Sequence, residues 1–116
     1  MHDVRFPVEA VGGVLVVRAP EEIDVTNAAG LRAALLEAAA HGQGTFVVDM
    51  SQTGFCDSAG LHALVAAHRR AQAEGGEVRL VICGAAVPRI FAITGIDRVI
   101  PTFISLDEAL TRAPAA

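Results

Sequence analysis

The sequence predicts an α/β domain built on a mainly parallel sheet, and three observations lead there. Short β-branched runs alternate with stretches whose apolar residues recur at helical spacing, which is the pattern of strands joined by helical crossovers. Two of the runs, Thr45–Asp49 and Val78–Ile82, are short and largely apolar, as strands covered on both faces are. The chain has 116 residues, 53% of them hydrophobic, which is one domain's worth of core without metal or disulfide staples.

Taken in order, Val4–Ala10 and Val14–Arg18 are extended runs separated by Val11-Gly12-Gly13, a hairpin signal. A helix is expected over Thr26–His41, with Ala28, Leu31, Leu35 and Ala38 on one face and Gly42 as its stop. The strand at 45–49 follows. A second helix runs from about Ser58 to Ala73, with Leu61, Leu64 and Val65 inward and Gly75-Gly76 ending it. After the strand at 78–82, Pro88 suits the first turn of a short helix over Arg89–Thr94, closed by Gly95. Val99–Ile104 reads as a Pro-interrupted edge strand. Ser105-Leu106-Asp107-Glu108 is a capping box that opens a last helix reaching about Arg112. The expected order is ββαβαβαβα, about four helices in one domain spanning residues 1–116, with a core over 4–112 and a short tail at 113–116.

Charge and composition exclude several functions. Thirteen acidic residues against nine basic ones give a net charge of −4, with no basic stripe, so direct nucleic-acid binding is not expected. All the basic residues are Arg; without Lys there is no Schiff base, no P-loop lysine and no receiver-domain lysine beside Asp49. No apolar stretch approaches the roughly 20 residues of a membrane span. The opening Met1–Arg5 holds no apolar signal region, so Cys56 and Cys83 are expected as reduced thiols of a cytoplasmic protein. No His or Cys spacing suggests a metal site.

In open α/β sheets, function gathers beyond the carboxyl ends of the strands. Asp24, Thr26 and Asn27 follow one strand there; Asp49 and Ser51, then Phe55-Cys56-Asp57-Ser58-Ala59-Gly60-Leu61, follow another. Asp57 or Ser58 caps the second helix; together they exceed what one cap needs, and Gly60 leaves the first turn open. A hydrolase built on Ser58 and His62, one turn apart, lacks the G-x-S-x-G elbow and an orienting acid.

The Asp57-Ser58-Ala59-Gly60-Leu61 run resembles the signature of STAS domains, specifically of bacterial anti-sigma factor antagonists. The resemblance extends from about Val4 to Leu110 through Ile23–Asn27, Val47–Ser51, Arg89–Ile96 and Asp107–Leu110. It implies a non-enzymatic switch with no cofactor of its own. A partner that is both anti-sigma factor and serine kinase binds ATP and phosphorylates Ser58, and a phosphoserine phosphatase resets the cycle. The unphosphorylated form binds the anti-sigma factor and releases the sigma factor. Carried over by position, Asp24, Thr26, Asn27, Asp49, Asp57, Ser58 and Gly60 form the partner-binding surroundings. The family also implies an alternative role, as a subunit of a lipid-transport or stressosome-type assembly. Where the family has Gly-Glu before Ile-Asp, this chain has Pro20-Glu21-Glu22. Ser51 and Thr53, in the same loop as Ser58, are open as secondary acceptors. Phosphate adds about −1.5 to −2 charges. A carboxylate about 6 Å away, at an effective dielectric of ~20, would repel a unit charge by roughly 3 kcal/mol, about a hundredfold in affinity.

Overall fold

The computed structural model describes residues 6–41 and 44–111. Five strands form the main sheet in the order β1-β2-β4-β6-β7, from β1 (Val8–Val11), β2 (Val14–Arg18), β4 (Phe46–Met50), β6 (Val78–Ile82) and β7 (Thr102–Phe103). Only β1 and β2 are antiparallel. They are joined through Gly12 and Gly13, both in the left-handed region at φ 59° and 83°, as a two-residue hairpin with the sheet's own twist requires. Every other ladder of the main sheet is parallel. A separate pair, β3 (Glu22–Ile23) with β5 (Phe55–Cys56), is also parallel.

The helices are α1 (Ala28–His41), α2 (Ser58–Ala73), α3 (Ala86–Thr94), the single turn α4 (Ile96–Val99) and α5 (Leu106–Thr111). Alternation along the strands sorts the core into two layers. Val17, Phe46, Val48, Met50, Leu80 and Ile82 face α1, α2 and α3, and Leu31, Leu35, Leu64 and Phe91 close that layer from the helix side. Val16, Val47 and Val81 face the other way, onto Phe103 and Ala109 of the α5 side. That second layer also holds Arg79, which is buried. Its guanidinium donates to the Ala109 carbonyl at 2.8 Å and to Glu77 at 2.9 Å, tying α5 to β6.

Helix ends follow the sequence signals. Ser105 Oγ accepts from the Glu108 N–H at 3.1 Å, which caps α5 as expected, while the Glu108 carboxylate accepts from the N–H of Ile104, one residue before the cap, at 3.4 Å, so the reciprocal half of the box is displaced by one residue. Past α2, the Gly76 N–H reaches the Ala71 carbonyl and the Gly75 N–H the Gln72 carbonyl, the paired bonds of a Schellman stop, with Gly75 at φ 88°. His68, near the end of α2, is buried, and its Nδ1 accepts the Val78 N–H at 3.2 Å where β6 begins.

Four expectations change. The first strand begins at Val8, with Phe6 buried just before it; Val4 and Arg5 lie outside the described residues, as do Gly42, Arg112 and the 113–116 tail. α1 begins at Ala28 rather than Thr26, because Asp24–Asn27 closes a turn of its own. α3 begins at Ala86, earlier than Arg89, with Pro88 still in the first turn. The edge strand expected over Val99–Ile104 shrinks to Thr102–Phe103, because Gly95 at φ 83° ends α3 and lets Ile96–Val99 make another helical turn.

Candidate functional site

The short β3–β5 pair assembles the site. Its register sets Glu22 against Phe55 and Ile23 against Cys56, and the Asp57 N–H donates to the Ile23 carbonyl at 3.0 Å. The residues that follow each strand, Asp24 on one side and Asp57-Ser58 on the other, therefore leave the sheet as neighbours. One further bond fixes each loop. The Gly54 N–H donates to the Glu21 carbonyl at 2.8 Å, and Thr53 Oγ1 donates to the Pro20 carbonyl at 2.7 Å. Pro20-Glu21-Glu22 is thus held down at its backbone while both glutamates remain exposed.

Asp57 caps α2: its Oδ1 accepts from the Gly60 N–H at 3.1 Å, and its own extended backbone turns the chain into the helix. The choice between the two candidate caps falls on Asp57. Ser58 is left as the first helical residue, exposed, with no hydrogen bond to its hydroxyl among the described residues. A free hydroxyl over uncapped N–H groups suits an oxygen that is to carry negative charge.

The turn before α1 is self-contained. The Thr26 hydroxyl and N–H both donate to Asp24 Oδ1, which holds the Asp24 carboxyl below its ordinary range. Asn27 accepts from the Asp24 N–H at 2.9 Å and donates to the Glu22 carbonyl at 2.8 Å. Thr26 and Asn27 therefore shape the loop, and the Asp24 carboxylate stays on its surface.

Gly60 is buried. A Cβ there would lie 2.6 Å from both Cys56 Sγ and Ile23 Cγ2, so the residue lets α2 press onto the β3–β5 pair. Its place in the site is a packing one. Burial, and then the Asp57 charge, push the Cys56 thiol up to about 12, which leaves it a neutral core group.

Asp49 is not brought to Ser58. It alternates with Val48 and so points with Val47 to the α5 side of the sheet, away from α1 and α2. There it is buried, accepting from Arg18 Nη1 at 2.9 Å and from the Ser51 N–H at 2.9 Å. Thr53 is also removed from the list of available hydroxyls, since it is buried and already donates to Pro20. Ser51 is exposed. No hydrogen bond joins Ser58 to His62 among the described residues, and no group of three or more His, Cys, Asp or Glu there could hold a metal.

Two apolar side chains of the site have no role in the sequence reading. Val25, 77% exposed, sits in the turn beside Asp24, and Phe55, 47% exposed, points outward from β5 while Cys56 points in. Both lie on the two loops that the β3–β5 pair brings together. Val25 in a polar loop was a visible signal; the outward turn of Phe55 depends on a two-residue strand that has no legible period.

Comparison with known proteins agrees with this geometry. The family model described as the STAS domain matches residues 5–109. A Mycobacterium tuberculosis protein named as a candidate anti-anti-sigma factor, Rv2638, is 31% identical over 114 residues, covering 97% of this chain and 77% of that protein. An anti-sigma factor antagonist from Mycobacterium paratuberculosis superposes with a TM-score of 0.83 at 34% identity, covering 92% of this chain and 91% of the other. The anti-sigma factor antagonist SpoIIAA of Bacillus, in its unphosphorylated form, shares the fold with a TM-score of 0.75 at 23% identity, over 91% and 93% of the two chains.

Proposed function

The chain belongs to the STAS domain family, and from that premise we propose that it is an anti-sigma factor antagonist whose binding is switched by phosphorylation at Ser58. The observation that carries the reading is the division of labour at the start of α2. Asp57 holds the cap, so the Ser58 hydroxyl is free and exposed, on a loop that the β3–β5 pair sets beside the Asp24 turn, with Val25 and Phe55 exposed on the same two loops. Unphosphorylated, this face docks on an anti-sigma factor and releases the sigma factor that it held. The same partner, acting as a serine kinase, binds ATP; the Ser58 oxygen attacks the γ-phosphorus, the bond to the departing ADP breaks, and the hydroxyl proton leaves to a base of the partner or to water. A phosphatase directs water at the phosphoserine and returns Ser58 with inorganic phosphate.

The fold tolerates this chemistry for a local reason. The phosphate would stand on the first turn of α2, where the helix dipole favours an anion, and nothing buried depends on the Ser58 hydroxyl. SpoIIAA, which has this fold, is known in both an unphosphorylated and a phosphorylated form. The added charge instead acts on the partner, which must desolvate it to close over Val25 and Phe55.

The test is capture from a lysate of the source bacterium with tagged wild type, Ser58→Ala and Ser58→Asp, followed by addition of ATP to the captured complex. The reading requires that wild type and Ser58→Ala retain an ATP-binding anti-sigma factor, that Ser58→Asp loses it, and that phosphate maps to Ser58. Equal capture by all three, with no phosphate on Ser58, would make that serine an ordinary helix residue.

A further inference from the structure

Between α1 and α2 runs an open cleft of about 470 Å³ that reaches Ala59, the residue after Ser58. Its walls are alanines with Val25 and Leu36, and its only charged or titratable lining residues are Arg32 of α1 and His62 of α2. Both are exposed, and among the described residues neither has an ion pair or a hydrogen bond. Arg18, Arg70 and Arg79 are each paired with a carboxylate; among the described residues Arg69, Arg89 and Arg98 are not, but unlike Arg32 they do not line the cleft. His62 follows Ser58 by four residues, so their Cβ atoms lie about 5–6 Å apart on one helix face. Helical side chains lean toward the N-terminus, which turns His62 back over Ser58. The charged groups of the two loops joined by the β3–β5 pair are acidic: Asp57 beside Ser58, Asp24 in the turn before α1, and Glu21 and Glu22 at β3.

We propose that Arg32 and His62 are the receptor for the phosphate carried by Ser58, drawing it away from the carboxylates and into the mouth of the α1–α2 cleft. The inference rests on the reading of Ser58 as the acceptor. It adds how the modified state is held: an arginine and a histidine on different helices close over one dianion, a charge-assisted arrangement that neutral Ser58 cannot engage. Phosphorylation then changes the cleft's shape as well as the charge beside it. The phosphate occupies the end nearest Val25, and Arg32 and His62 leave solvent to meet it. A carboxylate at position 58 carries less charge on a shorter arm, so Ser58→Asp reproduces the repulsion but not the closure.

The experiment places phosphoserine at position 58 during translation, so it needs no kinase, and follows the second ionisation of the phosphate by ³¹P NMR. Wild type, Arg32→Gln, His62→Gln and the double variant are compared, with Arg32→Lys as the charge-conserving control. A unit charge about 6 Å away in a water-like dielectric moves an ionisation by about half a pH unit. Arg32→Gln should therefore raise the midpoint by about that much, His62→Gln should raise it in the same direction, the double variant should exceed either single one, and Arg32→Lys should shift it much less. Circular dichroism checks that the exposed substitutions leave the fold intact. Four coincident midpoints would overturn the proposal, because the helix dipole and the carboxylates are common to all. Incubating unmodified chain with the captured partner and ATP tests the acceptor reading separately. Failure there, with the midpoints still separated, would remove the switch and leave the phosphate receptor standing.

Discussion

Replacing Gly60 by Ala tests the geometry on which the site rests, because the sign of the effect is diagnostic. At an open helical position, Gly→Ala stabilises by about 0.4–1 kcal/mol through the unfolded chain and helix propensity. Gly60 is not open. The new methyl would sit 2.6 Å from Cys56 Sγ and 2.6 Å from Ile23 Cγ2, and both partners are buried. Relieving two contacts that short requires α2 to lift from the β3–β5 pair, and overpacking of this kind costs about 1–3 kcal/mol. The net expectation is a loss of roughly 1–2 kcal/mol. Urea unfolding would show it as a lower midpoint at unchanged slope. A double-mutant cycle assigns the cause: in a Cys56→Ala background one of the two clashes is gone, so Gly60→Ala should cost distinctly less there. A Gly60→Ala protein as stable as wild type, or more stable, would refute the close approach and with it the positioning of Ser58.

Further expectations follow from the caps, the thiols and the buried histidine. Asp57→Ala removes the α2 cap and should lower stability by about 1 kcal/mol, with Asp57→Asn retaining most of it; denaturant titration reads both. A thiol reagent should label exposed Cys83 in the native protein and reach Cys56, buried with its ionisation pushed up to about 12, only on unfolding. Burial, against opposing pulls from Glu77 and the Val99 backbone, holds the His68 imidazole below its ordinary value. Below about pH 6.5 the unfolded chain then takes a proton that the folded one refuses. Stability should therefore fall as pH drops from there through the folded value, by at most about 1.4 kcal/mol per pH unit, and level off beneath it. Its share of the slope should vanish in His68→Gln when unfolding is measured across that window.

Much of this architecture is legible in the residues because long elements carry a period. α2, the two central strands, the Gly12-Gly13 hairpin and the Ser105 cap stand close to where their patterns place them, and α1 differs only in its first two residues. What is missed is short. β3 and β5 have two residues each, too few for alternation to show, yet they bring Asp24 beside Asp57. The Val99–Ile104 run reads as a strand because its residues are β-branched, but Ile96 and Ile100 are four apart and both buried, and the helical spacing prevails. Asp49 shows the other limit. Its alternation with Val48 is plain, but which sheet face carries α1 and α2 is decided only by the assembled layers.

If Ser58 is the switch proposed above, the acidic Pro20–Asp24 segment is where its energy arises. The extra glutamate in place of the family's glycine does not loosen the loop, because Thr53 and Gly54 hold the Pro20 and Glu21 carbonyls. It leaves Glu21 and Glu22 in solvent near Ser58, and Asp24 on the surface of its turn. In the free protein these charges are screened, and a phosphate at Ser58 is expected to change little in the fold. A partner pressed onto Val25 and Phe55 excludes that water, and only then does each carboxylate act on the phosphate through a low dielectric. On the proposed reading the same modification is therefore mild for the free chain and severe for the complex. Comparing the two forms of the chain should give melting temperatures that nearly coincide, beside partner affinities that differ by about a hundredfold. A phosphorylated chain that melted far earlier than the unmodified one would place the effect in the fold and end this account of the switch.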